Sequence, residues 1–540
     1  MDNLGYTSYH SPSWIAKLRS ALLQFTGLFS AFESYIAPQY HHDRVYRSVQ
    51  MRLYTLTKRQ FVVVFGAFFV CFFITVLIGV AGPPLVDSYE QNASQLVPEP
   101  DNLAVGPFHL KSPTLSTFNQ QLWLVATPQL KHAKGEVFAK NFLMSVEIHG
   151  QDVDTTVHSL GEQAHNRTRW LRCGETCETF IVLHLPYLDY TNYLIILKFY
   201  DLENLENDMK EIVFHFHTYY PSFTQVEIWF RFVFLVLTFI VTCLFAHSLR
   251  KFSMRDWSFE QKWMSLLLPL LLLYNNPIFP LTFLVNSWVP IMMDNLFQAT
   301  FLSALLLFWL CSYHAVRQSE RRFLPFYVPK MIITGILWLT AFCLATYQQY
   351  HELQDPTFQY KVDTGGFLGL KIFFFVIGSI YLLYLVFLVV RAYTELRSMP
   401  YFDLRLKFMT ALMFCVVAIS ITIMALRFGT GVLDPNFVPE LSTHYRNSAE
   451  FLAFFGLLNF YLYTMAYVYS PSKNASTESH FKDNPTFSML NESDDEIVYG
   501  MYDFNPPKPR VKRTDSDDNT SLTGRPASRY HGDSDEEGFN

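Results

Sequence analysis

The chain is poor in charge. Only 16% of its 540 residues are Asp, Glu, Lys or Arg, while half are apolar. A large soluble enzyme carries about a quarter charged residues, so that class does not fit. Cysteine is scarce too, seven in all, and neither these nor the scattered His show metal-ligand spacing. An HExxH helix is absent, as is a glycine-rich phosphate cradle. With no nucleophile and no paired acids standing out, the expectation is no enzyme, no metal, no cofactor and no nucleic-acid partner.

Apolar runs and aromatics, by contrast, are plentiful, with 52 Phe. Crossing about 30 Å of hydrocarbon takes roughly 20 mostly apolar residues. Eight runs reach that length: about 61–82, 226–249, 264–285, 295–315, 327–349, 367–391, 406–427 and 449–469. The first stands apart, separated from the rest by a polar segment. The expected organisation is a cytoplasmic basic segment (1–60), a transmembrane anchor (61–82), a lumenal or extracellular domain (83–225), a seven-helix bundle (226–469) and a tail (470–540).

Cytoplasmic loops are enriched in Lys and Arg. Seven basic residues, from Lys17 to Arg59, precede the first run, which places the amino end in the cytoplasm. Alternation then puts Arg250, Lys251, Arg255 and Lys262, next Arg317, Arg321 and Arg322, and finally Arg391, Arg397, Arg405 and Lys407 on that same side. The opposite loops hold only Lys361 and Arg446. The first run exceeds a signal peptide's apolar core of roughly 7 to 15 residues, so a retained anchor is expected. Residues 13–29 have helical apolar spacing suited to the membrane surface.

In the polar segment, short runs rich in β-branched and aromatic residues (QQLWLVAT, FLMSVEIH, RWLRC, TFIVLHL, NYLIILKFY, EIVFHFHTY) predict a β-sandwich of about seven or eight strands. Asn92 and Asn166 begin glycosylation acceptors. Cys173 and Cys177 form the one cysteine pair outside the apolar runs and bracket a hairpin tip, which predicts a local disulfide. His215 and His217, two apart on one strand face, are candidates for metal ligation or pH sensing.

Polar groups inside spans are costly, and they face a bundle interior or cavity. The candidates are Arg231, Asn275, Asn276, Lys371, Glu450 and Asn459. Arg231 and Lys371 lie near the outer edge, where they would snorkel to headgroups or form a cationic rim for an anionic ligand. Pro277 frees carbonyls near Leu273 and Tyr274, and the two adjacent amides are placed to satisfy them. The outer half of this span is therefore expected to be bent or unwound, opening a cavity lined by Phe279, Phe283, Tyr461 and Tyr463 that suits an acyl chain or sterol.

The tail has 14 acids and 8 bases and is rich in Ser, Asp, Asn and Pro, a disordered composition. Asn484, Pro485 and Phe487 belong to an NPTF sequence similar to an endocytic sorting motif, and Ser493, Ser516 and Ser534 precede acidic clusters that suit acidic-directed kinases. Both features favour trafficking, with sorting adaptors as partners.

The order of anchor, lumenal β-sandwich and seven helices resembles the family that joins a Golgi-dynamics (GOLD) domain to a seven-helix bundle, whose best known member is Wntless. The runs RLYTLTKRQFVVVF (52–65), VTCLFAHSLRKFSMRDW (241–257), QKWMSLLLPLLLLYN (261–275), DLRLKF (403–408) and ELSTHYRNSAEFLAFFGLLNFYLYTMAYVYSPSKNA (440–475) are similar to one branch of it. The resemblance covers about residues 50 to 500. It implies a bundle with some likeness to G-protein-coupled receptors, a central cavity that opens toward lipid, and residence in Golgi, endosomal and plasma membranes. For that branch it also implies a receptor that is a host factor for bacterial cytolethal distending toxin. The third helix of the seven ends in CSYHAVRQ, with no Asp/Glu-Arg-Tyr triad, and the last reads NFYLYTMAYVYS, with no Asn-Pro-x-x-Tyr, so rhodopsin-like coupling is not expected.

The expected function is a membrane receptor or cargo-handling trafficking protein, whose lumenal domain binds a secreted or lumenal protein, a bacterial toxin included, while the bundle holds a lipid or lipidated group. The alternative is an ion channel or transporter. Few charges lie deep in the spans to line a conduction path.

Overall fold

The computed structural model of the chain describes residues 49–96, 103–131, 138–152, 156–160, 164–174, 177–203, 208–317, 323–358, 368–396, 400–428, 445, 447–473 and 475. The amphipathic stretch 13–29, the sorting motif at Asn484, Pro485 and Phe487, and Ser493, Ser516 and Ser534 lie outside them.

Helix α1 (Lys58–Val80) opens with reciprocal capping between Thr57 and Gln60, which occupies amide donors the first helical turn leaves free. Among the described residues nine strands follow: β1 (Val86–Asn92), β2 (Phe108–Lys111), β3 (Leu122–Leu130), β4 (Phe138–Gln151), β5 (Val157–Ser159), β6 (His165–Cys173), β7 (Phe180–Leu185), β8 (Asn192–Tyr200) and β9 (Met209–Tyr219). They form a four-stranded sheet, β1-β9-β3-β7, and a five-stranded one, β2-β8-β4-β5, with β6 also pairing β4. Inward rows Phe142, Met144, Val146 and Ile148 of β4, Tyr193, Ile195, Leu197 and Phe199 of β8, and Ile212, Phe214 and Phe216 of β9 fill the space between them. Each such side chain contributes about 1.5–3 kcal/mol by leaving water. The disulfide Cys173–Cys177 forms as the spacing predicts.

β9 runs almost directly into α2 (Pro221–Leu249), whose Pro221 sits in the first turn, where its missing amide hydrogen costs nothing. Among the described residues six more long helices follow: α3 (Phe259–Tyr274), α4 (Trp288–Arg317), α5 (Val328–Gln354), α6 (Leu368–Leu396), α7 (Pro400–Phe428) and α8 (Ser448–Tyr469). Counting the turn that follows α3, all eight helices are long and apolar enough to cross a membrane.

The anchor does not stand apart, as its sequence position suggested. α1 lies along α8, so close that a Cβ on Gly79 would fall 2.5 Å from the Ala449 Cα. Lipid tails give two apolar helices no hydrophobic reason to associate, and small residues at the crossing supply close packing instead. Where α1 enters and α8 leaves, Met51 bridges Pro471, the Arg52 amide donates to the Ser470 carbonyl at 2.9 Å, and the Ser472 amide donates to the Gln50 carbonyl at 2.9 Å. On this side, opposite the sandwich, Arg405 of the expected basic cluster is buried in an ion pair with Glu260.

Candidate functional site: the junction of sandwich and bundle

The site begins in the turn before β3. Asn119 accepts from the Ser116 amide at 2.9 Å and donates to the Tyr219 carbonyl at 3.0 Å, tying the turn to the end of β9. Gln120 follows in the left-handed region, with φ 57°. Its side-chain amide reaches into α2, donating to Thr224 Oγ1 at 3.0 Å and Glu227 Oε2 at 2.9 Å. Thr224 in turn donates to the Phe118 carbonyl at 2.7 Å. A loop of the sandwich thus grips the first turns of a membrane helix.

One turn deeper, Arg231 donates to Glu227 Oε1 at 3.0 and 3.2 Å and to Asp294 Oδ1 at 3.4 Å. The guanidinium lies 4.0 Å from the centre of the Phe279 ring and 4.8 Å from that of Phe455. It is only 4% exposed, so it neither snorkels to headgroups nor forms an open cationic rim. The two carboxylates, spaced four residues before it and on the facing α4, hold it inward. Asp294 also accepts from Asn276 at 2.8 Å and Gln298 at 3.0 Å.

The break in α3 explains how Asn276 gets there. Helix α3 stops at Tyr274, Asn275 remains near helical geometry, and Asn276 turns to φ 52°. Asn and Gly are the residues that reach this region at least cost. Pro277 and a short 3₁₀ turn, Phe279–Phe283, then complete the crossing, so the outer half is unwound as expected. Its carbonyls are satisfied differently from that expectation. The Asn276 backbone amide, not an Asn side chain, donates to the Leu273 carbonyl at 2.8 Å. The side chains are thereby free for longer reaches. Asn276 Oδ1 accepts from the Ile278 amide at 3.1 Å, while Asn275 and Asn459 exchange side-chain hydrogen bonds at 2.9 and 3.0 Å. Thr238 donates to Asn459 at 3.1 Å and accepts from Asn275 at 2.9 Å.

A cavity of about 140 Å³ lies between sandwich and bundle. Arg231, Phe279 and Phe283 line it as the sequence suggested, together with Gln120, Glu227, Asp294, His184 and Glu352, which sequence reasoning missed. Tyr461 and Tyr463 do not line it. Tyr461 accepts from the Trp309 indole at 2.9 Å within the bundle core, and the Tyr463 hydroxyl lies 2.7 Å from Thr238 Oγ1. Tyr274 packs below, its ring 4.9 Å from Phe301 and 5.1 Å from Phe455. Glu450 sits in the first turn of α8, its backbone amide bonded to Asn447, away from the cavity walls. Lys371 lies in α6, with its side chain outside the described residues.

Beside the cavity, the chain leaving α5 is held by the sandwich. Asp355 pairs with Arg167 and lies 3.5 Å from His165, Arg169 donates to the Thr357 carbonyl at 2.6 Å, and the His184 amide donates to the Pro356 carbonyl at 2.7 Å. Burial opposes the charge of Asp355, but the Arg167 and Thr357 hydrogen bonds outweigh it and keep its pKa below the usual carboxylate value. His184 itself bonds Gln121 at 3.0 Å and lies 3.5 Å from Glu352.

Of the other sandwich candidates, Asn166 is exposed on β6 and Asn92 half-buried at the end of β1. His215 and His217 share a face of β9 with rings stacked 6.0 Å apart, and Glu90 lies 3.3 Å from His215. Burial, with the neighbouring His215 adding to it, lowers the pKa of His217. Among the described residues, no three His, Cys, Asp or Glu side chains converge as metal ligands.

Comparison with known proteins divides the chain at the same joint. Residues 106–219 match the family model described as TMEM181, GOLD domain, and residues 220–473 match Wntless-like, transmembrane domain. Over 451 residues the chain is 57% identical to transmembrane protein 181 of Homo sapiens, an alignment covering 83% of this chain and 94% of that relative.

Proposed function

The chain belongs to the transmembrane protein 181 family, a GOLD domain joined to a Wntless-like transmembrane domain, and from that premise we propose that it is a receptor or cargo-handling protein of trafficking membranes. The sandwich binds a secreted or lumenal protein, and the junction passes the state of the sandwich to the bundle. One observation carries this reading: a continuous polar chain, buried at Glu227, Arg231 and Asn276 and half-buried at its other members, from Gln120 through Glu227 and Arg231 to Asp294 and Asn276. Displacing the turn that holds Gln120 removes a partner from a buried carboxylate, and low dielectric makes such a loss expensive.

In this reading the sandwich faces the lumen or exterior, both chain ends are cytoplasmic, and the tail serine and NPTF sequences direct movement among Golgi, endosomal and plasma membranes. A bacterial toxin is one candidate for the bound protein. A lipid partner fits the junction by its polar head, because the cavity is smaller than the roughly 300–1,000 Å³ of drug-sized sites and much of its wall is polar.

Proximity labelling from the sandwich in living cells tests the proposal. Partners captured by the intact chain should disappear when the sandwich is deleted and diminish in Cys173→Ser. An unchanged partner list after deletion would sink it. The channel reading draws on the same polar chain; robust current from purified protein in liposomes would favour it.

A further inference from the structure

We infer that an N-linked glycan on Asn166 folds back along the outer face of the five-stranded sheet and packs its core N-acetylglucosamines over Trp170; this rests on the lumenal or extracellular placement of the sandwich proposed above. Asn166 begins the acceptor Asn166-Arg167-Thr168. Alternation along β6 sets the direction in which it faces. Asn166, Thr168 and Trp170 are exposed, whereas Arg169, Leu171 and Cys173 are buried. The acceptor asparagine, the threonine and the indole therefore share one face of the strand. The opposite row is occupied, since Arg167 and Arg169 hold the chain that leaves α5. Asn166 thus stands on the side that the bundle does not cover. Asn92, by contrast, is half-buried and precedes the fully buried Ala93.

An exposed aromatic stripe lies within reach of a sugar at Asn166. Trp170 is 54% exposed and Tyr200 42%. Antiparallel register sets Leu143 of β4 between Thr168 of β6 and Tyr200 of β8, with Asn141 opposite Trp170. Apolar surface grouped in this way marks a covered or binding surface. Four residues of strand, from Asn166 to Trp170, make about 13 Å. The asparagine side chain and two linked N-acetylglucosamines span a distance of that order. Each sugar ring has an apolar face of C–H groups that lies flat on an indole, and hydroxyl and acetamide groups at its edge. Asn141, and Ser145 opposite Asn166, present an amide and a hydroxyl on the same face to meet that edge. Because the glycan is tethered beside the stripe, its effective concentration there is high and the contact needs no free ligand.

The test uses the full chain expressed in mammalian cells. Peptide:N-glycosidase F should increase the gel mobility of the wild-type chain. Asn166→Gln and Thr168→Ala should each lose one glycan's share of that change, and Thr168→Ser should retain it. Tryptophan-selective oxidation of the purified chain, read at Trp170 by mass spectrometry, then reports the packing. Trp170 should oxidise severalfold faster in Asn166→Gln and Thr168→Ala than in wild type and Thr168→Ser. Losing the glycan should also lower the melting temperature, and that loss should vanish in a Trp170→Ser background. Equal oxidation with and without the glycan overturns the inference, because the sugar then projects into solvent. Protection of Trp170 in every variant overturns it too, since something else covers the stripe. Protease protection in sealed microsomes separates the inference from the placement of the sandwich. A protected sandwich lacking sugar at Asn166 overturns the inference and leaves the lumenal reading intact; a digested sandwich overturns both.

Discussion

Arg231 shows how far a single residue can be read before its neighbours are known. An arginine near the outer edge of a span has a ready explanation in snorkelling, and nothing about its own position distinguishes that from burial. The distinguishing signal was Glu227, one turn earlier on the same helix face. An acid and a base four residues apart inside an apolar run point to an inward pair rather than to a headgroup contact. Asp294 was harder to find, because the expected span began at 295, whereas α4 starts at Trp288 and carries Asp294 within it. Replacing Arg231 with Met leaves the buried Glu227 and the half-buried Asp294 without their cation, which should cost about 3–5 kcal/mol. The combined Glu227→Leu, Arg231→Met and Asp294→Leu variant should recover much of that, as measured by melting in detergent. Equal loss in both variants would show that packing, not charge, dominates here.

The Asn275 and Asn459 amides form a reciprocal pair. Asn459→Leu alone should destabilise by about 1–2 kcal/mol, and adding Asn275→Leu should cost less than the sum of the two singles. A double-mutant cycle with no coupling would contradict the pairing.

At the scale of elements, α3 was legible because proline punctuates an apolar run. Pro277 marks the break in sequence, and the structure places it after Tyr274. What the sequence could not show is the left-handed turn at Asn276, which makes its side chain available to Asp294. Asn276→Gly should be tolerated by the backbone while losing the bond to Asp294. Asn276→Leu should lose that bond and also strain the backbone by about 1–2 kcal/mol. Comparing melting temperatures of the two separates the backbone from the side chain.

Strand β9 makes a second element-level prediction. Burial holds the pKa of His217 below its ordinary value of 6.5. Below that value the unfolded chain takes up a proton sooner than the folded one, so the contribution is complete above about pH 6.5 and is lost as pH falls toward the folded pKa. The melting temperature should therefore be lower at pH 5 than at pH 7.5, and His217→Gln should flatten part of that slope. An unaltered slope would assign the pH dependence to other groups.

For the whole molecule, the class and order of parts were legible because membrane spans and alternating strands obey strong period rules. The six short apolar runs, several of them alternating, all recur as strands. β1, β2 and β5 went unseen, being too short or, like VDSYEQN of β1, lacking an apolar face. The packing of α1 against α8 and the docking of the sandwich onto α2 and α5 were not legible. Gly79 with Ala449, Gln120 with Glu227, and Arg167 with Asp355 are far apart in sequence, and no local period connects them.

The central claim is that sandwich and bundle form one coupled unit through this junction. Hydrogen–deuterium exchange on the purified full chain, comparing wild type with Gln120→Ala, tests it most directly. The substitution cuts the sandwich's contacts with Thr224 and Glu227 and leaves Arg231, Asp294 and Asn276 in place. The account predicts faster exchange not only around residues 117–121 but also in the first turns of α2 and at the α3 break, residues 275–283. Faster exchange confined to the sandwich loop, with the break unaltered, would contradict it.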